Sequence, residues 1–289
     1  MDDYDKAGRI AAEARDYGAS LIKVGVSLLE VTERVEERIL KLGGKFAFPP
    51  QISRNEIAAH YCAFTDDPII FDEGDIVKLD VGVHVNGYIG DTAITVDLDK
   101  NINLLRASEH ALRNALKIIR PGVTLGEIGK EIEQTIQEEG FEPIRNLSGH
   151  GLGLYQIHAP PSVPNYDNKS TKILKEGQVV AIEPFATTGK GMICEGKPSG
   201  IFRWVGKKAV RHPKAREVLK YIESEFKTLP FTKRWIMKKY SMGEFYLRLL
   251  EKEGIIQEYA QLPEISNGLV SQAEHTIRVE EKAKILTKV

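Results

Sequence analysis

Residues 76–98 read "IVKLDVGVHVNGYIGDTAITVDL". The run is rich in strand-forming residues, yet it carries Asp80 and Asp91 in mid-strand. An acid inside a sheet is costly unless something pairs with it. Asn86-Gly87 between alternating apolar residues predicts a two-residue hairpin, because both central positions of a type I′ turn need positive φ. That loop pairs Val85 with Tyr88, and the register then sets Gly82 against Asp91 and Asp80 against Ala93. Paired residues share a sheet face, so the two acids become diagonal neighbours with Cα atoms about 7–8 Å apart. The other face carries Val77, Leu79, Val81, Val83, Ile94 and Val96, suited to packing on helices. Two carboxylates converging on one face call for a shared proton or a metal ion.

A second copy of this arrangement follows in the chain. "GVSLLEVTERVEERILKLG" (25–43) resembles "GVTLGEIGKEIEQTIQEEG" (122–140). Each has a Ser/Thr-x-x-Glu capping box, Ser27/Glu30 and Thr124/Glu127, then helical periodicity closed by glycine. A helical pattern precedes each, over 4–23 and roughly 103–119. "EGDIVKLD" (73–80) aligns without a gap on "EGQVVAIE" (176–183), which sets Asp80 on Glu183. "DTAITVD" from Asp91 aligns on "EHTIRVE" from Glu274. The repeat predicts two pseudo-symmetric α/β halves that bring four carboxylates to one centre. Any one of these acids alone would read as a solvated strand residue. Four at aligned positions call for two divalent cations roughly 3.5–4 Å apart.

Asp80 and Asp91 are 11 residues apart, whereas Glu183 and Glu274 are 91 apart. The second hairpin therefore carries an insertion of about 80 residues. Residues 213–226, 231–240 and 243–253 are expected to be short helices within it. The expected organisation is a catalytic domain from 1–194 and 266–289 with a helical subdomain at 195–265. From Arg203 to Lys239 there are 12 Lys/Arg against 3 Asp/Glu. Such a run can bind nucleic acid, although a helical charge run is commonly a solvated face.

The remaining features narrow the chemistry. The net charge of −1 over 289 residues offers no global attraction to nucleic acid or membrane. Cys62 and Cys194 form no framework, which points to a reducing cytosol, and no 18-residue apolar run predicts a membrane span. Cys62 is expected to be a small buried filler. His150 lies in "LSGHGLG", with flanking glycines that allow close approach of backbone or ligand. A neutral imidazole completes an oxygen-rich site for Mn, Fe, Co or Zn better than for Ca or Mg. His158 lies in "YQIHAPP", and His60 in "NEIAAHYCAF", one turn past an apparent helical start. His275 should face away from Glu274. There is no G-x-S-x-G elbow and no Walker loop, and "TTGKG" (187–191) reads as a turn.

"FPPQISRNEIAAHY", "KLDVGVHVNGYIGDTAITV", "PIRNLSGHGLGLYQIHAPPSVPN", "AIEPFATTGKG", "TLPFTKRW" and "EHTIRV" together resemble the type 2 methionine aminopeptidases, in their archaeal form. The resemblance covers essentially the whole chain. It implies the pita-bread fold, an α/β (α+β) architecture of two halves around a central antiparallel sheet with a helical insertion. The long polybasic N-terminal extension of the eukaryotic enzymes is missing, and Ala273 stands where the family usually has Phe.

The resemblance implies two divalent metal ions (Co, Mn, Fe, Zn or Ni) held by Asp80, Asp91, His150, Glu183 and Glu274. Asp91 and Glu274 would bridge, Asp80 would chelate one ion, and His150 and Glu183 would hold the other. Glu183 would serve as general base. His158 would donate to the developing tetrahedral oxygen, and His60 would contact the scissile amide. Phe48, Ile157 and Tyr259 would wall the substrate pocket. The implied activity is removal of the initiator methionine from nascent polypeptides with a small second residue, in the cytoplasm, by a monomer. The basic insertion could dock the enzyme on the ribosome. The competing expectations are a prolidase-like peptidase and a non-catalytic scaffold of the same fold.

Overall fold

The computed structural model describes residues 2–206 and 208–288. Lys207, part of the basic run, lies outside the described residues. The chain opens with helices α1 (Asp3–Leu21) and α2 (Leu28–Lys41), capped by Asp2 and Ser27. Ser27 accepts from the Glu30 N–H, but the reciprocal half of the expected box is absent because the Glu30 carboxylate turns to Arg34, 3.6 Å away. Strands β1 (Lys45–Phe46), β2 (Gln51–Arg54), β3 (Ile57–Ala59), β4 (Ile76–Val85) and β5 (Tyr88–Asp97) complete the first half.

The β4–β5 hairpin has the expected register, with Asp80 opposite Ala93 and Gly82 opposite Asp91. Asn86 and Gly87 both take positive φ, 52° and 91°. Val77, Leu79, Val81 and Val83 are fully buried in one cluster with Val31, Val35 and Ile39 of α2. Burial of each such side chain stabilises the fold by roughly 1.5–3 kcal/mol. Truncating Leu79 to alanine would cost about 2–5 kcal/mol, since the site is too tightly packed to collapse fully.

The "NEIAAHYCAF" stretch corrects one expectation, for it is extended and not helical. Asn55 turns the chain at φ 51°, and β3 pairs with Leu262 and Pro263. Long-range pairing overrides the local preference of its two alanines.

The second half repeats the plan with α3 (Ile102–Ile118), α4 (Leu125–Glu138), β6 (Glu142–Pro143), β7 (Ser148–Gly153), β8 (Gln156–Pro164), β9 (Val179–Ile182) and β10 (Phe185–Thr187). Here Thr124 and Glu127 make the full capping box. The cap residues Ser27 and Thr124 make matching isolated bridges, to Ile70 and Ile173. The inserted segment then contributes β11 (Pro198–Trp204), α5 (Pro213–Glu225), β12 (Phe231–Thr232), α6 (Lys233–Lys239), α7 (Gly243–Lys252) and β13 (Ile256–Ala260). The three helices match expectation, but the segment is not purely helical. β11 lies between β12 and β13 in a sheet of its own, over a separate apolar cluster.

The chain returns through β14 (Leu262–Pro263), β15 (Val270–Gln272), β16 (His275–Arg278) and β17 (Lys284–Ile285). Ile182 pairs with His275, and Phe185 pairs with Gln272. The ladder thus keeps one register across a break that leaves Glu183 opposite Glu274. Relative to the first hairpin this register is shifted by two residues. An even shift keeps every side chain on its face. The two halves meet where β5 crosses β15 and β16. The Thr92 and Thr95 hydroxyls donate to the Glu274 and Gln272 carbonyls, and the Thr276 hydroxyl accepts from the Asp91 N–H. No helix among the described residues is long and apolar enough to cross a membrane.

Candidate metal centre

The five residues singled out as ligands converge from both halves. Asp80 and Asp91 come from the first hairpin, His150 from β7, and Glu183 and Glu274 from the break in the second ladder. Ligand atoms of Asp91, His150 and Glu274 all lie within 4.8 Å of one another. His150 Nε2 is 3.7 Å from Asp91 Oδ2 and 3.5 Å from Glu183 Oε1. Asp80 reaches the cluster through Asp91, with the two carboxyl groups in hydrogen-bonding contact. Glycines on either side of His150 admit backbone. A side chain at Gly149 would lie 2.3 Å from the Ala181 carbonyl oxygen, and one at Gly151 2.2 Å from that of Pro160.

Burial pushes the Asp80 carboxyl up to about 7 and holds Asp91, Glu183 and Glu274 well above the usual carboxylate range. Mutual repulsion adds to burial at Asp91, Glu183 and Glu274. Burial also lowers His150 to about 4, so its imidazole is neutral. Asp80 Oδ1, Asp91 Oδ1 and Glu274 Oε2 are buried without a hydrogen-bond partner. Buried acceptors left unpaired are rare and costly. Four carboxylates and one neutral imidazole are a donor set that fits divalent cations, which would supply the missing partners.

The cluster forms the floor of a cavity of about 550 Å³. Phe48 and Ile157 are buried in its apolar wall. Tyr259, from the insertion, meets the His60 ring edge-on at 5.4 Å. His60 takes φ 67°, a conformation most side chains avoid. Its N–H donates to Gln51 Oε1 at 2.7 Å, and its Nδ1 lies 3.0 Å from the Ala260 carbonyl. A carbonyl only accepts, so Nδ1 carries the proton and Nε2 keeps a free lone pair. His158 meets His150 edge-on at 4.7 Å. Its edge is open to the cavity, yet burial and the neighbouring His150, His60 and Arg203 lower its pKa to about 3. The His60 pKa is also lowered, by burial.

Among the residues not singled out from sequence, Gln51, Asn146, Ser148, Ile201, Pro230 and Leu262 also line the cavity. Gln51 lies within a quoted family motif, but nothing in its local pattern marks it as the residue that orients His60. Cys62 is buried and its thiol pushed up to about 11 by burial, as expected for a small buried filler. His275 faces away from the centre, paired with Thr287.

Fold and cluster together define a metal-dependent hydrolase built on the pita-bread plan. The profile of Metallopeptidase family M24 matches residues 2–214, and the chain belongs to that family. A methionine aminopeptidase of Archaeoglobus fulgidus is 48% identical, with 98% of this chain and 96% of that protein covered. One from Pyrococcus horikoshii is 45% identical, with 99% of each covered. The crystal structure of the methionine aminopeptidase of Thermotoga maritima superimposes with a TM-score of 0.72 at 26% identity, over 99% of this chain and 95% of that one.

Proposed function

We propose that this chain is a type 2 methionine aminopeptidase, which removes the initiator methionine from nascent polypeptides whose second residue is small. The observation that carries the reading is a cluster of buried carboxylates with unpaired oxygens at the floor of an apolar-walled cavity. Asp80, Asp91, His150, Glu183 and Glu274 would hold two divalent ions, which when bound supply an activated water and a polarised carbonyl. Co, Mn, Fe, Zn and Ni all suit this donor set.

The remaining steps belong to the chain. Phe48 and Ile157 hold the methionine side chain, and Tyr259 closes the same pocket. Glu183 accepts the proton released as water attacks the peptide carbonyl and passes it to the leaving amine. His158 donates to the carbonyl oxygen as negative charge develops there. The free Nε2 of His60 accepts from the scissile amide N–H. The insertion at 195–265, between two parts of a catalytic domain (1–194 and 266–289), supports the type 2 assignment.

Chelator-treated protein should lose cleavage of Met-Ala-Ser and regain it with Mn, Co or Fe. Full turnover by metal-free protein overturns the reading. The enzyme would act as a cytoplasmic monomer. A ribosome-docking role draws on Lys208, Arg211 and Lys214, which are exposed. Lys214 also pairs with Glu217 at 2.8 Å and Lys208 donates to the Glu253 carbonyl. Further insertion charge is spent within the protein, with Arg234 on Glu36, Lys238 on Glu33 and Lys233 on Glu244. Co-sedimentation with ribosomes over a salt series tests the docking, since phosphate contacts weaken steeply with salt.

A further inference from the structure

The motif "TLPFTKRW" (228–235) takes no part in the chemistry above, yet it crosses the cavity between two staples. At one end Lys227 Nζ sits 3.7 Å over the Tyr155 ring, and the Thr228 hydroxyl donates to the Tyr155 carbonyl. Tyr155 is itself fixed to the first hairpin, its N–H donating to the Gly87 carbonyl at 2.9 Å. At the other end the Arg234 guanidinium grips Glu36 of α2 with two parallel hydrogen bonds. The Trp235 indole donates to the same carboxylate at 2.8 Å, and its ring stacks on Phe46 at 4.6 Å.

Between the staples, Leu229 joins Phe48 and Ile157 in one apolar cluster, and Pro230 lines the cavity. The Thr232 hydroxyl accepts from the Cys62 thiol at 3.4 Å, two residues beyond His60. The strap therefore touches both the pocket wall and the loop that carries His60.

We propose that Glu36 and Arg234 are positioning residues, which hold the strap 227–235 at the distance that sizes the pocket for methionine. This rests on the reading of the cavity as the methionine pocket. The Arg234 side chain is 1% exposed and that of Glu36 10%. A bidentate guanidinium–carboxylate pair fixes both distance and angle. Removing the Glu36 charge leaves the buried Arg234 guanidinium only the longer, half-exposed contact to Glu33 at 3.7 Å, which loosens this end of the strap. Neither residue lines the cavity, so the effect reaches substrate through Leu229 and Pro230.

The test compares Glu36→Gln with wild-type holoenzyme on Met-Ala-Ser and on the analogue beginning with the smaller norvaline. Glutamine keeps the size and the acceptor for Trp235 but loses the charge. The expected result is KM for the methionine peptide raised about tenfold, kcat within about threefold, and weaker discrimination against norvaline, since the loss falls on side-chain binding. Metal content should equal that of wild type. A second variant, Lys227→Ala with Thr228→Ala, opens the other staple at exposed positions outside the core. It should move KM in the same direction, by roughly threefold.

Unchanged KM and selectivity in folded Glu36→Gln overturn the proposal. So does a parallel fall of kcat and metal content, which marks general damage. If Glu36→Gln does not fold, the exposed double variant decides by the same criterion. Wild-type protein inert on Met-Ala-Ser with metal present removes the pocket reading and the strap with it.

Discussion

Glu183 stands opposite Glu274 in a ladder that breaks at 183–184 and 273–274. Pairs on either side, Ile182 with His275 and Phe185 with Gln272, keep a common register. The break turns both carboxylates toward Asp91, and burial first, then the neighbouring carboxylates including Glu183, raise the pKa of Asp91 and Glu274.

Glu274→Gln should therefore remove a ligand without removing bulk. Peptide cleavage is expected to fall by about 10²-fold or more, since even a residue that only supports a metal ligand typically costs roughly 10–100-fold when removed. Calorimetric titration of the metal-free variant with Mn should show fewer or weaker sites than wild type. An active variant with wild-type stoichiometry would reject the ligand assignment.

His60 is expected to react as a nucleophile. Its Nδ1 proton is held by Ala260, and burial keeps the ring neutral, so the Nε2 lone pair faces the cavity. Fumagillin-type epoxides, which alkylate the matching histidine in the family this chain resembles, should add once to wild type. Intact-mass spectra of His60→Ala should show no adduct, and an adduct on both proteins refutes the assignment.

Gly82 makes room for the pocket wall. A Cβ there would lie 2.1 Å from the Phe48 ring. Gly82→Ala must push the ring into the cavity, and KM for Met-Ala-Ser should rise by roughly tenfold or more because misplacement of about 1 Å is enough for such losses. A variant with wild-type kinetics would mean that Phe48 does not bound the methionine side chain.

Acid stability should depend on His84, remote from the cluster. Its Nδ1 accepts the Gly87 N–H at the hairpin turn, and burial lowers its pKa to about 4 from an ordinary 6.5. A histidine whose folded pKa is depressed contributes stability that is complete above the unfolded value and is lost as pH falls through the folded one. Wild type should therefore lose about 1–2 kcal/mol between pH 6.5 and pH 4 that His84→Gln does not lose. Urea melts of both proteins across that window, at equal metal loading, measure the difference. Parallel curves would mean that the imidazole is not held neutral.

The hairpin register and the four carboxylates were legible because both follow from local rules, a two-residue turn and an aligned repeat; His150 was marked only by its flanking glycines and by the family resemblance. The inserted helices were legible from their punctuation by Pro230 and Gly254. The insertion's sheet was not, since β12 is two residues long and is defined only by its partner Ile201-Phe202. The extended path into His60 was hidden for the same reason, because β3 owes its conformation to residues some 200 positions away. Gln51 escaped because its role is to hold a backbone N–H, which leaves no pattern in sequence.

The order in which the chain emerges during its own synthesis gives the broken ladder another meaning. Asp80 and Asp91 are made first, while Glu274 arrives only after the inserted segment has been completed. The centre needs contacts between residues far apart in sequence, and contacts of that kind close late in folding. A half-made chain therefore cannot acquire activity. The centre is complete only when β16 pairs with Ile182 of β9 and Glu274 meets Thr92 of β5.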